Sequence, residues 1–142
     1  MKKIIVIVPV IIAIAGLVII LNSDDKETDK TGFHVTLAEP KMYQDGIYSE
    51  EFTLNPGKYF FRFIPNGDSP ETLSIELTGK DFNFNEEFRL KGTLHETGIS
   101  QYYTWDYDGQ KEIEIIEQQE IIIKINPNGN VLGSVSVDIV EN

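Results

Sequence analysis

The chain has 142 residues, 12 basic against 23 acidic, a formal charge of −11 and no cysteine. The length fits one modest domain with a short accessory segment, and the scattered, outnumbered basic residues exclude a nucleic-acid backbone as partner. The lack of cysteine excludes disulfides, thiolate metal sites such as blue-copper centres, a cysteine nucleophile and a lipid anchor attached at cysteine.

Ile4 to Leu21 is apolar without a charge. As a helix rising ~1.5 Å per residue it spans roughly 27 Å, close to the ~30 Å hydrocarbon core of a bilayer. Lys2 and Lys3 precede it, and Asp24, Asp25, Glu27 and Asp29 follow it. This asymmetry predicts a signal-anchor helix over residues 1–21 that is held in the lipid bilayer by 4–21. The N-terminus is then cytoplasmic and the rest of the chain extracytoplasmic. The alternative is a secretory signal cleaved near Ala15, after the small residues of Ala13-Ile14-Ala15. Against cleavage stands Leu17–Leu21, which would be left as an apolar new terminus.

Residues 22–31 (NSDDKETDKT) are polar, charged and without apolar periodicity. They read as an acidic tether. From residue 32 to 142 every signal is β. Tyr59–Ile64 and Ile121–Ile125 are dense apolar runs suited to strands inside a sheet. Leu73, Ile75 and Leu77 alternate with polar residues, as do Phe82, Phe84, Phe88 and Leu90, and Val135, Val137 and Ile139. Turn signals separate these runs at Asp45-Gly46, Asn55-Pro56-Gly57, Pro65-Asn66-Gly67, Asp108-Gly109 and Pro127-Asn128-Gly129. Eight or nine short strands at such spacing predict an antiparallel β-sandwich of the jelly-roll or immunoglobulin kind.

The sequence also echoes itself. Lys58–Thr78 aligns without gaps to Glu120–Val140, matching Pro-Asn-Gly to Pro-Asn-Gly and Arg62 to Lys124. Either a duplication or the common chemistry of two hairpins accounts for this. In both cases each segment reads as strand–turn–strand with one inward parity.

Within Phe52–Gly79, the residues Gly57, Tyr59, Phe61 and Asn66 form a Gly-x-Tyr-x-Phe strand followed by Asn and a further apolar strand. This stretch resembles the GOLD domain of p24-type proteins, although the cysteine usual in that strand is absent. It is also similar to the pre-peptidase C-terminal sandwich in its aromatic strand. The resemblance implies a secreted β-sandwich interaction module and carries no site residue.

The chemistry on offer is sparse. There is no Gly-x-Ser-x-Gly, His95-Glu96 lacks the second histidine of a zinc-binding helix, and no glycine-rich phosphate loop is present. A site built from His34, His95, Met42 and carboxylates is a remote possibility, and no pair of carboxylates stands out for glycoside hydrolysis. An enzyme is therefore not expected. Calcium is the more plausible ion, through Asp106, Asp108 and Glu112 around a sharp turn, though these fall short of a twelve-residue calcium loop. Asp68 with Glu71, or Asp45 with Glu50 and Glu51, are further acidic loops. Tyr103, Trp105 and Tyr107 share one face of a strand and form the candidate ligand-binding row. Facing outward, such a row suits a glycan or an envelope protein; facing inward, it is core.

Two functions follow as expectations. The first is a membrane-anchored extracytoplasmic binding module of the cell envelope. The second is a filament subunit similar to pilins and archaellins. The latter is weakened by the short Met-Lys-Lys leader, by the absence of Glu or Gln at the start of the apolar run, and by the acidic tether.

Overall fold

A computed structural model describes residues 31–142, an all-β unit of nine strands. The anchor expected over 1–21, and all of the tether except Thr31, lie outside the described residues. No helix among the described residues is long and apolar enough to cross a membrane.

The strands are β1 (Thr31–Leu37), β2 (Tyr48–Leu54), β3 (Gly57–Pro65), β4 (Thr72–Thr78), β5 (Asn83–Glu96), β6 (Gln101–Asp108), β7 (Glu112–Ile115), β8 (Gln119–Asn126) and β9 (Val135–Glu141), with one 3₁₀ turn at Pro40–Met42. They form two antiparallel sheets, a four-stranded one in the order β1-β9-β3-β7 and a five-stranded one in the order β2-β8-β4-β5-β6. The two dense apolar runs fall in β3 and β8, each flanked by strands on both sides.

The expected parity holds. Leu73, Ile75, Leu77, Val135, Val137 and Ile139 are buried, together with Phe61, Phe84, Phe88, Ile121, Ile123 and Ile125. Each such side chain contributes roughly 1.5–3 kcal/mol by leaving water. That supplies a core without cross-links. At Asp45-Gly46 the chain reverses between the bridged residues Gln44 and Ile47, with φ of 53° and 81°. Two consecutive positive φ values mark a tight turn that only Gly, Asn or Asp enters cheaply.

The two echoing segments are not hairpins. The arms of Lys58–Thr78 lie in different sheets, β3 in one and β4 in the other, and Glu120–Val140 crosses in the opposite sense. The segments pair with each other instead. Phe61↔Ile139, Arg62↔Asp138, Phe63↔Val137 and Ile64↔Ser136 in one sheet become Ile123↔Leu77, Lys124↔Glu76, Ile125↔Ile75 and Asn126↔Ser74 in the other. Exchanging the segments therefore preserves register, as a pseudo-twofold axis between the sheets requires. The relation extends outward. Phe33 on β1 opposes Ile139 as Phe84 on β5 opposes Leu77, and Ile113 on β7 opposes Tyr59 as Phe52 on β2 opposes Ile121. One described strand, β6, has no counterpart.

Candidate functional site

The unmatched strand carries the aromatic row. β5 pairs with β4 only as far as Arg89 and with β6 from Arg89 to Glu96, so residues beyond Leu90 form a two-stranded ribbon with a short turn at its end. Thr97 and Ser100 close that turn through their backbone and hydroxyl groups. A ribbon with no third strand leaves side chains exposed on both faces. Ile99 at the tip is 99% exposed, Tyr103 57%, Tyr102 51% and Leu94 44%.

Along β6 the expected row divides into three environments. Tyr107 is fully buried, its hydroxyl donating to the Pro70 carbonyl at 2.6 Å and its ring 5.0 Å from that of Phe63. Burial pushes its phenol far above the usual tyrosine range, with a further push from Tyr43. Tyr107 is thus a core residue. Trp105 is half-buried and lies across the strand from Gly92, where a Cβ would come within 2.7 Å of the indole. Glycine at 92 is therefore what lets the indole lie flat on the ribbon. Gly67, in the connection from β3 to β4, meets its other end, where a Cβ would stand 3.6 Å away. Tyr103 stacks on Trp105 at 5.7 Å between ring centroids and turns its remaining surface outward. Behind the row, His95 stacks on Tyr102 at 4.9 Å and meets Thr104 Oγ1 at 2.8 Å.

Two depressions meet at Trp105. One, of about 520 Å³, runs between β3 and the ribbon and is lined by Phe60, Arg62, Phe63, Thr93, Thr104 and Lys111. The other, of about 430 Å³, lies on the Gly67 side with Glu71, Arg89 and Leu90. An indole thus stands between two clefts with charged side chains at their rims.

Of the three residues considered for calcium, Asp106 and Asp108 face lysines. Lys111 Nζ donates to Asp106 Oδ2 at 2.8 Å, and Asp106 Oδ1 accepts from the Tyr107 amide at 2.8 Å. Asp108 stands 3.8 Å from Lys91 Nζ, while Glu112 begins β7 in the other sheet. Among the described residues no three His, Asp or Glu side chains gather as a metal site. Asp68 is held through its backbone, its amide bonding to Asn66 Oδ1 and its carbonyl to Asn130 Nδ2.

A second cluster escaped sequence reasoning. His34, Asp138 and Arg62 stand side by side on β1, β9 and β3, on the outer face of the four-stranded sheet. Arg62 donates from Nε and Nη2 to Asp138 Oδ2 at 3.1 and 2.7 Å, and His34 Nδ1 meets Oδ1. Asp138 is 3% exposed, so these two partners replace its water. His34 Nε2 continues to Thr36 Oγ1 at 3.3 Å, which reaches Ser136 Oγ at 3.0 Å. The string resembles an acid–histidine–hydroxyl relay, but a flat strand alternates its N–H groups between two edges. Neighbouring amides therefore do not converge on a developing oxyanion beside Thr36. Its chemistry is that of a neutralised polar network. Asp138 sits 76 residues from Arg62 and 104 from His34 in sequence, and only the lone Asp138 in an apolar strand hinted at the cluster.

No protein-family model, no curated protein and no solved structure matches the chain.

Proposed function

We propose that this chain is a membrane-anchored, extracytoplasmic binding module of the cell envelope, non-enzymatic, with the β5–β6 ribbon as its contact surface. In this reading residues 4–21 hold it in the bilayer, residues 22–31 stand it off the headgroups, and the sandwich, of the jelly-roll or immunoglobulin kind, presents the ribbon. The observation that carries it is the ribbon itself. An added two-stranded segment presents Leu94, Ile99, Tyr102 and Tyr103 to solvent, whereas most other apolar residues among the described ones fill a core. Solvent-exposed tyrosines beside a half-buried tryptophan are the composition of interface centres. Charge supports the same choice: Arg89 and Lys91 offset Asp106 and Asp108 here, whereas the chain as a whole carries −11.

The test is cross-linking of the tagged full-length protein in its own membranes, followed by identification of what is captured. One reproducible envelope protein, lost on Tyr103→Ala or Ile99→Ser with the fold unchanged by circular dichroism, supports the reading. Ladders of the chain alone would replace it with the filament subunit. Capture that is insensitive to both substitutions removes the ribbon from the interface. Retention on a glycan array in place of a protein partner would assign the Tyr103–Trp105 pair to sugar stacking.

A further inference from the structure

Beyond Leu90 the ribbon has two open edges, because β4 no longer flanks β5 and β6 is the edge strand of its sheet. Successive amides along a strand point to opposite edges. The Leu90 amide bonds to the Glu71 carbonyl and the Tyr107 amide to Asp106 Oδ1, so both point out of the β5–β6 ladder. By the same alternation the backbone groups of Tyr103 and Trp105 point outward from β6, and those of Gly92 and Leu94 outward from β5. Charge protects an open edge against pairing, and the two edges differ in it. On β5 the open stretch runs from Lys91 to Glu96 and is charged at both ends. On β6 it is Gln-Tyr-Tyr-Thr-Trp over residues 101–105, with no charge and no proline, and the aspartates of that strand begin at 106.

A second, independent observation lies across the larger cleft at Trp105, which has β6 as one wall and β3 as the other. β7 pairs with β3 only as far as Phe60, and the Lys111 carbonyl then takes the Phe61 amide. The next amide on that edge belongs to the buried Phe63 and meets no acceptor among the described residues. One cleft is thus bordered by unpaired backbone on both sides, where native structures pair their buried amides. The charges around it are engaged with one another, Lys111 with Asp106 and Arg62 with Asp138.

We infer that the ribbon binds an extended, uncharged polypeptide segment of its partner, which adds as a strand to the outer edge of β6 along Gln101–Trp105 and enters the cleft toward Phe63. This rests on the ribbon reading and names what the ribbon takes. The backbone selects the occupant. Donors and acceptors that recur at every second residue, ~6.8 Å apart along a strand, are matched by the backbone of another strand. A sugar ring has no such repeat. The added strand supplies the third member that a two-stranded ribbon needs for stability of its own. It also sets apolar side chains beside Tyr103 and Trp105. Because the charges of the cleft are already paired, attraction comes from backbone bonds and apolar contact.

The probes are short synthetic peptides, blocked at both ends, that alternate Val or Tyr with Thr. They are titrated into the detergent-solubilised full-length chain with Trp105, its single tryptophan, as reporter. Saturable binding is expected, changing less than about twofold between about 0.05 and 0.5 M salt. Methylating one alternate set of peptide amides should weaken it at least about tenfold, and methylating the other set much less. In the chain, Gln101→Pro removes an outward amide and leaves the β5–β6 ladder bonds in place. It should bind about fivefold more weakly than Gln101→Ala. Absence of binding overturns the inference, as do equal effects of the two methylated sets, a steep salt dependence, or equal affinities of Gln101→Pro and Gln101→Ala. If the peptides fail while capture of an envelope protein is still lost on Tyr103→Ala, strand addition falls and the ribbon reading stands. If that capture is also insensitive to Tyr103→Ala, both fall.

Discussion

The β3–β4 and β8–β9 segments share register residue by residue, yet their inward faces differ in size. Phe61 and Phe63 stand where the other segment has Ile123 and Ile125. The larger side chains lie on the side to which β6 has been added. Phe61 packs 5.5 Å from Phe84 and 5.4 Å from Phe88, and Phe63 packs 4.9 Å from Phe88 and 5.0 Å from Tyr107. An extra edge strand opens the sandwich on one side, and aromatic rings of 150–250 Å² each fill the added space. The outward pair differs too. Arg62–Asp138 has His34 beyond it, whereas at Lys124–Glu76 the glutamate accepts from Thr78 Oγ1 at 3.3 Å and stands opposite Asn85 on β5. One frame thus carries a closed trio around the buried Asp138 on one sheet and an open polar row on the other.

Substituting equivalent residues tests how far the halves diverge. Phe61→Ala is expected to cost about 4 kcal/mol and Ile123→Ala about 3 kcal/mol in urea unfolding, because more ring contacts are lost at 61. A larger loss at 123 would mean that the aromatic cluster is not what supports the added strand. Asp138→Ala should cost about 2 kcal/mol, since it removes the charge-assisted bonds from Arg62 and the contact with His34. Its counterpart Glu76→Ala should cost about 0.5 kcal/mol. Equal losses would break the distinction between the closed and the open pair. Gly92→Ala should destabilise by about 1.5 kcal/mol by overpacking. It should also shift the emission of Trp105, the chain's single tryptophan, to the red as the indole is displaced; an unmoved spectrum would show that the ribbon spreads instead.

The last effect is alkaline. The Tyr107 phenol ionises less readily folded than unfolded, because burial raises its pKa, and Tyr43 is raised for the same reason. Their contribution is therefore complete below the unfolded value near pH 10. It declines as pH rises from there toward the folded value, by up to ~1.4 kcal/mol per pH unit for each phenol. Tyr107→Phe should flatten that decline while costing about 1 kcal/mol at neutral pH through loss of the Pro70 hydrogen bond. An unchanged slope between pH 9 and 11 would assign it to other groups.

Strand periodicity made the fold legible, because a half-buried sheet imposes period two on the chain. Leu73, Ile75 and Leu77 announced their burial in that way. The echo was visible as well, but read as hairpins, since sequence similarity does not say whether two strands pair with each other or each with a distant copy. The aromatic row was found without its division. Tyr103, Trp105 and Tyr107 share a parity, and the length by which β5 outruns β4 decides which of them reaches the core. Asp106 offered itself as a ligand because its partner Lys111 lies beyond a turn of unknown course. His34 gave no sign of Asp138, because such pairings depend on sheet order rather than on spacing.

The strand order also governs how the chain finds its fold. Among the described residues only β4, β5 and β6 are consecutive strands that pair in sequence, over Thr72–Asp108. Every other ladder joins strands distant along the chain, as Thr31–Leu37 joins Val135–Glu141. Closing such large loops precedes any gain from the contacts they make, so folding is expected within milliseconds to seconds rather than microseconds. The β4–β5–β6 meander is the natural nucleus, and substitutions at Leu77 should slow folding while those at Val35 chiefly speed unfolding. The aromatic strand at the edge would then be among the earliest parts of the molecule to take shape, and the N-terminal strand among the last.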